Sequence, residues 1–507
     1  MDQQIRTTLH RDGVLIATID MPRRRMNVFS ETLMDTLDDL MARVDADDAV
    51  RCVVLTSGKP AFLAGADLAM VCGFTDAAHT LDEEGMIALC GRLGRQFVRL
   101  EDSSKPWVAA INGIALGGGL ELAMACRERI VVDDPRVQLG LPEVRWGLLP
   151  GAGGTQRLSR LAGFRPALEL LLSGRSMSPQ EAVRLRVVSQ AVGAMELLTV
   201  ARKRALDLCG RPFDAAQKFP DYAQPDVPAH TVQRALELAR SFGIAEERYR
   251  DYPAYSAIIN CVLLGARNPL AEASVIEIRQ FIGLMANPVA GNMVRTLFLN
   301  RQRADKELAA PAGLVVERVA HGVLPPVWIE VLGKSKLPVV TDASLPDGTI
   351  ELQDSQGGVY RVHAAVLGED ETATDAVAVL SPAGEYGRVI ELVGTDEPAR
   401  GALAALAARL YALPWPTRGS RSVLASLSRA ADLDTKALAA LHAFAQGEIG
   451  DPVFLDVAAC AAGVSPAYSG GPFSYLWKQR ERLCVQFDAE AVAAWKRLEP
   501  LLGCAYS

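Results

Sequence analysis

Three adjacent glycines, Gly117-Gly118-Gly119, stand between the apolar run Trp107-Val108-Ala109-Ala110-Ile111 and an apolar stretch that carries one acid, Glu121. A strand has to give way to a helix across this turn, with the helix expected from about Gly119 to Cys126. Glycine has no Cβ, so backbone here can come close to a ligand or to another loop. Such a turn also leaves N–H groups unpaired at a helix N-terminus, where the peptide dipoles favour negative charge. The plain alternative is a tight strand-to-helix connection with no ligand.

The same rhythm recurs along the first part of the chain. Val14–Ile19, Val50–Thr56 and Ile130–Val132 are short β-branched runs, and Glu31 to Val44 repeats apolar residues at helical spacing. Strands alternating with helices imply an α/β fold with helices covering a sheet. From about Leu197 to Asn300 the pattern is helical, clearest at Ala273–Leu284 and Gly291–Leu299. β-rich segments are then expected at Leu314–Val316, Trp328–Val331, Pro338–Val340, Tyr360–Leu367 and Ala376–Leu380, with helices returning from about Arg400.

Composition narrows the function. Against 60 Asp and Glu there are 53 Lys and Arg, a net charge of -7 that argues against a general nucleic-acid binder. The longest apolar stretch, Lys105 to Glu121, falls short of the ~20 residues of a membrane-spanning helix. The start, Met1-Asp2-Gln3-Gln4-Ile5-Arg6, has no apolar core of the kind that leads a chain out of the cell. Nine cysteines without a Cys-x-x-Cys pair read as core residues of a reducing compartment, so a cytoplasmic location is expected. The six histidines lack metal-ligand spacing, and no metal is expected.

Two glutamates carry the candidate chemistry. Glu121 sits among Leu120, Leu122, Ala123 and Met124, where an acid either caps the helix or reacts. Glu143 lies in Leu139-Gly140-Leu141-Pro142-Glu143-Val144, where a salt bridge to Arg145 is the plain alternative. Two carboxyls in apolar surroundings would have separated proton affinities and could divide acid and base duties. A second loop, Phe62-Leu63-Ala64-Gly65-Ala66-Asp67-Leu68, could add a further N–H donor to that of the glycine turn.

Residues 14–190 resemble the crotonase superfamily, most closely its enoyl-CoA hydratases. The resemblance is carried by Lys105–Gly113, by Gly117–Ala123, by Gly140-Leu141-Pro142-Glu143 and by Gly147–Leu158. It implies a β-β-α spiral domain over residues 1–195 and an acyl-CoA thioester as substrate, with CoA part of that substrate. By the same resemblance the N–H groups of Ala66 and Gly118 hold the thioester oxygen. Glu121 prepares a water for the β-carbon and Glu143 gives a proton to the α-carbon. Ala64, Asp67 and Leu68 would line the CoA pocket, and Arg24 and Arg25 would meet its phosphates, although Arg23-Arg24-Arg25 also reads as a solvated charge run. Leu141 stands where hydratases often carry a polar residue, which would shift acyl preference. Crotonase-like domains commonly form trimers, so a homo-oligomer is left open.

The rest resembles a degenerate multifunctional β-oxidation enzyme: a helical linker (196–305), a Rossmann-like module that has lost its fingerprint (306–400) and a helical module (401–507). Leu380-Ser381-Pro382, Val389–Val393 and Ser469-Gly470-Gly471-Pro472-Phe473 look like parts of an NAD-dependent 3-hydroxyacyl-CoA dehydrogenase. Yet Glu317–Pro326 offers one glycine and two prolines where that family needs G-x-G-x-x-G. Its catalytic histidine would fall at Ala378, leaving Glu391 with nothing to orient and His363 on a strand surface. NAD is therefore not expected as a cofactor. The leading expectation is hydration of 2-enoyl-CoA. A Δ3-Δ2 enoyl-CoA isomerase, a non-catalytic scaffold and an intact bifunctional enzyme are the alternatives.

Overall fold

The computed structural model describes residues 4–214, 218–219, 232–368, 377–394 and 396–506. The side chain of Leu68 lies outside the described set, as do residues 1–3 of the chain start and Ala376 of one expected strand. The chain divides into two compact units, Met1–Gly291 and Asn292–Ser507.

The first unit is built on strands β1 (Ile5–Leu9), β2 (Val14–Ile19), β3 (Cys52–Ser57), β4 (Trp107–Ile111), β5 (Ala115–Leu116), β6 (Glu128–Val132), β7 (Leu139–Gly140), β8 (Ser176–Met177) and β9 (Gln190–Val192). One sheet runs β1-β2-β3-β4-β6-β9, and a second, small one runs β5-β7-β8. Only β1 is antiparallel to its neighbour; β2, β3, β4, β6 and β9 are parallel. Parallel strands are covered on both faces and so read as continuous apolar runs, as in β3 and β4, where every residue is buried. In such sheets ligands bind beyond the carboxyl ends of the strands.

The loops that follow β2, β3 and β4 meet at that end. Ala64 N donates to Asn27 O at 2.9 Å, Phe29 N to Gly65 O at 2.8 Å and Leu116 N to Leu63 O at 3.0 Å. Asn27, fully buried, ties the same loops with its side chain, accepting from Met21 N and donating to Ile19 O and Ser57 Oγ. Helices Pro253–Gly265 and Leu270–Met285 pack against each other and against Gly154–Ala162, so they belong to this unit.

The second unit holds strands β10 (Val316–His321), β11 (Val339–Thr341), β12 (Thr349–Asp354), β13 (Val359–Val366), β14 (Val377–Leu380), β15 (Arg388–Val393) and β16 (Ala412–Thr417). They form one mixed sheet ordered β11-β10-β12-β13-β14-β15-β16. Three readings of the sequence need correction here. Trp328–Val331 is helix, not strand: it lies within Pro326–Gly333, whose first position is fixed by proline and whose Trp328, Val331 and Leu332 are buried at helical spacing. The stretch after Val316 is strand as far as His321, so the turn into that helix comes at Gly322–Pro325. Ala412–Thr417 is a strand although it contains Pro414 and Pro416; as the edge of the sheet it can spare their missing donors.

Candidate active site

The glycine turn is shaped residue by residue. Gly117, before the helix Gly118–Ala125, has φ 52° and ψ -129°, a conformation that side chains resist. A Cβ on Gly119 would lie 2.2 Å from the Leu63 carbonyl oxygen, so this position needs glycine for close approach. Gly118 and Ala66 sit on the two loops drawn together by the Leu63–Leu116 bond. Among the described residues no protein acceptor takes the N–H of either one.

Glu143 is brought to this turn by β-pairing. Strand β7 pairs with β5, and Gly117 N donates to Gly140 O at 2.9 Å. Glu143 then opens a short 3₁₀ turn, Glu143–Trp146, just beyond Pro142. Its Oε1 lies 2.7 Å from where a Cβ on Gly117 would be. Its Oε2 is buried and has no hydrogen-bond partner among the described residues. A buried acceptor without a donor costs roughly 1–3 kcal/mol, which marks the position as one not optimised for stability. The bridge to Arg145 does not form among the described residues.

Glu121 is buried in the first turn of its helix and reaches a second helix start. Its Oε1 accepts from Ala152 N and Gly154 N, both at 2.8 Å, at the N-terminus of Gly154–Ala162. Burial pushes its carboxyl up to about 7, against the opposing pull of these amides and of Arg157. Burial raises Glu143 well above the ordinary carboxylate range, and the charges of Glu121 and Glu277 add to the effect. The two glutamates thus share one electrostatic site, with the unpartnered carboxyl against the glycine turn.

The structure adds a third acid, Glu277, from helix Leu270–Met285. It is buried at 1% exposure and accepts from Gly153 N at 2.5 Å, from Thr155 N at 2.9 Å and from the Thr155 hydroxyl. Burial, then the charge of Glu121, pushes it up to about 8. One signal in the sequence could have found it: Glu277 occupies the same helical stripe as Ala273, Ile278, Phe281 and Leu284, where an acid is out of place. Thr155-Gln156-Arg157 fixes this region. Arg157, with no exposed side chain, donates to Ala152 O at 3.0 Å and pairs with Glu101 at 2.9 Å.

Of the residues suggested for CoA, Ala64 and Asp67 share a loop with Ala66. Arg24 pairs with Asp67 at 3.0 Å, and Lys59 donates to Arg24 O at 2.7 Å. Asp67 also caps helix Leu68–Ala77 by accepting from Ala69 N. Arg25 is exposed and Ala64 half-buried, while the side chain of Leu68 is not described. Leu141 is buried at 2% exposure.

Residues 11–242 match the model of the enoyl-CoA hydratase/isomerase family. This part of the chain is a crotonase-family domain. The chain is 35% identical over 312 residues to the fatty acid oxidation complex subunit alpha of Shewanella halifaxensis, covering 61% of this chain and 43% of that protein. A protein of the same description from Idiomarina loihiensis is 35% identical over 322 residues, with 61% and 42% covered. The chain therefore spans less than half the length of the curated relatives it matches. Among solved structures it is similar to an enoyl-CoA hydratase from Bacillus anthracis, 27% identical, with 60% of this chain and 96% of that one covered at a TM-score of 0.36. It is also similar to human mitochondrial delta3-delta2-enoyl-CoA isomerase, 22% identical, with 60% and 100% covered at a TM-score of 0.42.

The tail residues have other duties. His363 is exposed on β13. Ala378 is buried on β14, one residue from the partner of Glu391 in the sheet register. Glu391 is not idle, contrary to the reading of the sequence. Wholly buried, it accepts from Ser422 Oγ at 2.5 Å and from Val423 N at 2.8 Å, and so holds the start of helix Val423–Arg429. Among the described residues no group of His, Cys, Asp and Glu is arranged to hold a metal ion, and no helix is long and apolar enough to cross a membrane.

Proposed function

We propose that this chain hydrates 2-enoyl-CoA thioesters to 3-hydroxyacyl-CoA. The observation that carries the reading is the buried, unpartnered Oε2 of Glu143 beside the glycine turn, with Glu121 sharing its field. Adding water across the double bond places enolate charge on the thioester oxygen. The N–H groups of Ala66 and Gly118 hold that oxygen; losing one such donor typically costs ~10²–10³ in rate. Glu121, whose Oε1 is held by the amides of Ala152 and Gly154, acts as the carboxylate and takes the proton of the attacking water. Glu143, raised by burial and with no donor among the described residues to its buried Oε2, acts as the acid and delivers its proton to the α-carbon. Proton transfer by positioned groups contributes ~10²–10⁴.

Arg24 and Arg25 supply positive charge for the CoA phosphates on an otherwise acidic chain, and Ala64, Asp67 and Leu68 flank Ala66 in sequence. The second unit has no redox role in this reading. Three features support that: the chain lacks a G-x-G-x-x-G turn, alanine stands at position 378, and Glu391 is committed to a helix start.

The test is turnover of a ladder of 2-enoyl-CoA and 3-enoyl-CoA substrates, with and without NAD, by wild type and Glu143→Gln. Expected are NAD-independent hydration and a ~10²–10⁴-fold loss in the variant at unchanged circular dichroism. A variant as fast as wild type removes the role given to Glu143. Faster turnover of 3-enoyl-CoA selects the isomerase instead, and NAD reduction by 3-hydroxyacyl-CoA overturns the redox-inactive tail.

A further inference from the structure

Four successive amides of one turn are shared alternately between two carboxylates. Ala152 N and Gly154 N donate to Glu121; Gly153 N and Thr155 N donate to Glu277. The two acids come from distant parts of the chain, 156 positions apart (277 less 121), and grip the same backbone from different sides. Neither grip can be released without freeing a peptide whose neighbours hold the other acid.

The helix that carries Glu277 is itself fastened to this turn. A Cβ on Gly151 would fall 2.8 Å from Phe281 Cδ2, so that ring, one helical turn beyond Glu277, already fills the space over the glycine. Gln156 Nε2 donates to Cys261 O at 2.9 Å, and Arg160 donates to Gly265 O at 3.1 Å and Asn268 O at 2.9 Å. These contacts lock the helical pair Pro253–Gly265 and Leu270–Met285 over the turn. Both helices lie beyond residue 242, where the family match ends.

We infer that Glu277 is a positioning residue, which sets the place of the Glu121 carboxylate by clamping the amides interleaved with those that hold it. The inference rests on the proposed acid–base role of Glu121. Both oxygens of Glu277 face donors, so the side chain has to be an acceptor on both sides. A glutamine there turns an NH₂ toward one of two backbone N–H groups, and a donor facing a donor drives the turn open. An aspartate keeps both acceptor oxygens but is one methylene too short to span Gly153 and Thr155. Both replacements therefore shift Gly154 and, with it, Glu121.

Two readouts on the full chain judge this. In protein labelled with ¹⁵N-glycine, Glu277→Gln is expected to move the amide signal of Gly154 as well as that of Gly153, with Glu121→Gln identifying the Gly154 signal. In the hydration assay, Glu277→Gln and Glu277→Asp are each expected to lower kcat by ~10–100-fold with KM within twofold, as a small misplacement of a reacting group does. A general loss of fold would instead change KM, circular dichroism and all glycine signals together, and would overturn the positioning role. An unmoved Gly154 signal, or an unchanged kcat, also overturns it. If wild type turns over neither enoyl-CoA series, the functional reading falls by itself, and the Gly154 signal alone decides whether the clamp exists.

Discussion

Both units bury carboxylates at the starts of helices, but those of the second unit and the Glu121–Glu143 pair of the first are held differently. In the second unit Asp456 is wholly buried and accepts from Phe473 N and Ser474 N at 2.7 Å and from the Tyr506 hydroxyl at 2.5 Å. Glu391 is similarly supplied by Ser422, Val423 and Leu424. Each closes a helix N-terminus with donors on both oxygens. In the first unit Glu121 takes two amides on Oε1 alone, and Glu143 has a buried oxygen with no donor. A carboxyl with donors on both oxygens is cement; one with an oxygen left open in a dry site is available to a proton and a substrate. Burial alone does not distinguish them.

The comparison can be broken from either side. Among variants that leave both glutamates in place, the largest effect is expected from Gly117→Ala. Its Cβ would meet Glu143 Oε1 at 2.7 Å and its φ of 52° would be strained, so the open carboxyl has to move. The hydration rate should fall ~10²-fold, as for a displacement of about 1 Å, and stability by ~1–3 kcal/mol. Normal kinetics in this variant would show that the position of Glu143 is immaterial.

Smaller effects, on stability alone, are expected from Asp456→Asn and Glu391→Gln. Each sets an amide NH₂ against backbone donors and should lower stability by ~1–3 kcal/mol in denaturant titrations, leaving kcat and KM for enoyl-CoA unchanged. A rate loss in these variants would mean that the second unit takes part in the reaction. The Asp456 contribution also has a sign in pH. Burial pushes its carboxyl up to about 7 in the folded chain. The unfolded value is about 4, so its contribution is complete below that pH and is lost as the pH rises through about 7. The asparagine variant should lack that decline.

Much of the first unit was legible because its signals are local. Parallel buried strands announce themselves as apolar runs, and Gly117 to Gly119 announce a turn whose backbone does what no other residue permits. That Glu143 comes to Gly117 depends on the pairing of two-residue strands far apart in sequence, which no periodicity reveals. Glu277 was hidden for a different reason: its stripe reads as helix core, and only the fold puts the turn Gly151–Thr155 over it. In the second unit Trp328–Val331 misled because its three apolar, β-prone residues, Trp328, Ile329 and Val331, fit either period, and the prolines before them decided for helix. The strand Ala412–Thr417 was obscured by its prolines, which only an edge position allows.

The central claim is that Glu121 and Glu143 work as base and acid, the first held by two backbone amides and the second left, among the described residues, without a donor on its buried oxygen. The pH dependence of kcat/KM for 2-enoyl-CoA hydration tests it most directly, since it follows the essential groups of the free enzyme. The carboxyl of Glu121, pushed up to about 7, has to be ionised, so the rate should rise as the pH climbs through about 7. Glu143, raised well above the ordinary carboxylate range by burial and by the neighbouring acids, has to stay protonated, so the rate should fall again at higher pH, and Glu143→Gln should lack that falling limb. A rate already at its plateau near pH 5 and flat above it would contradict the account.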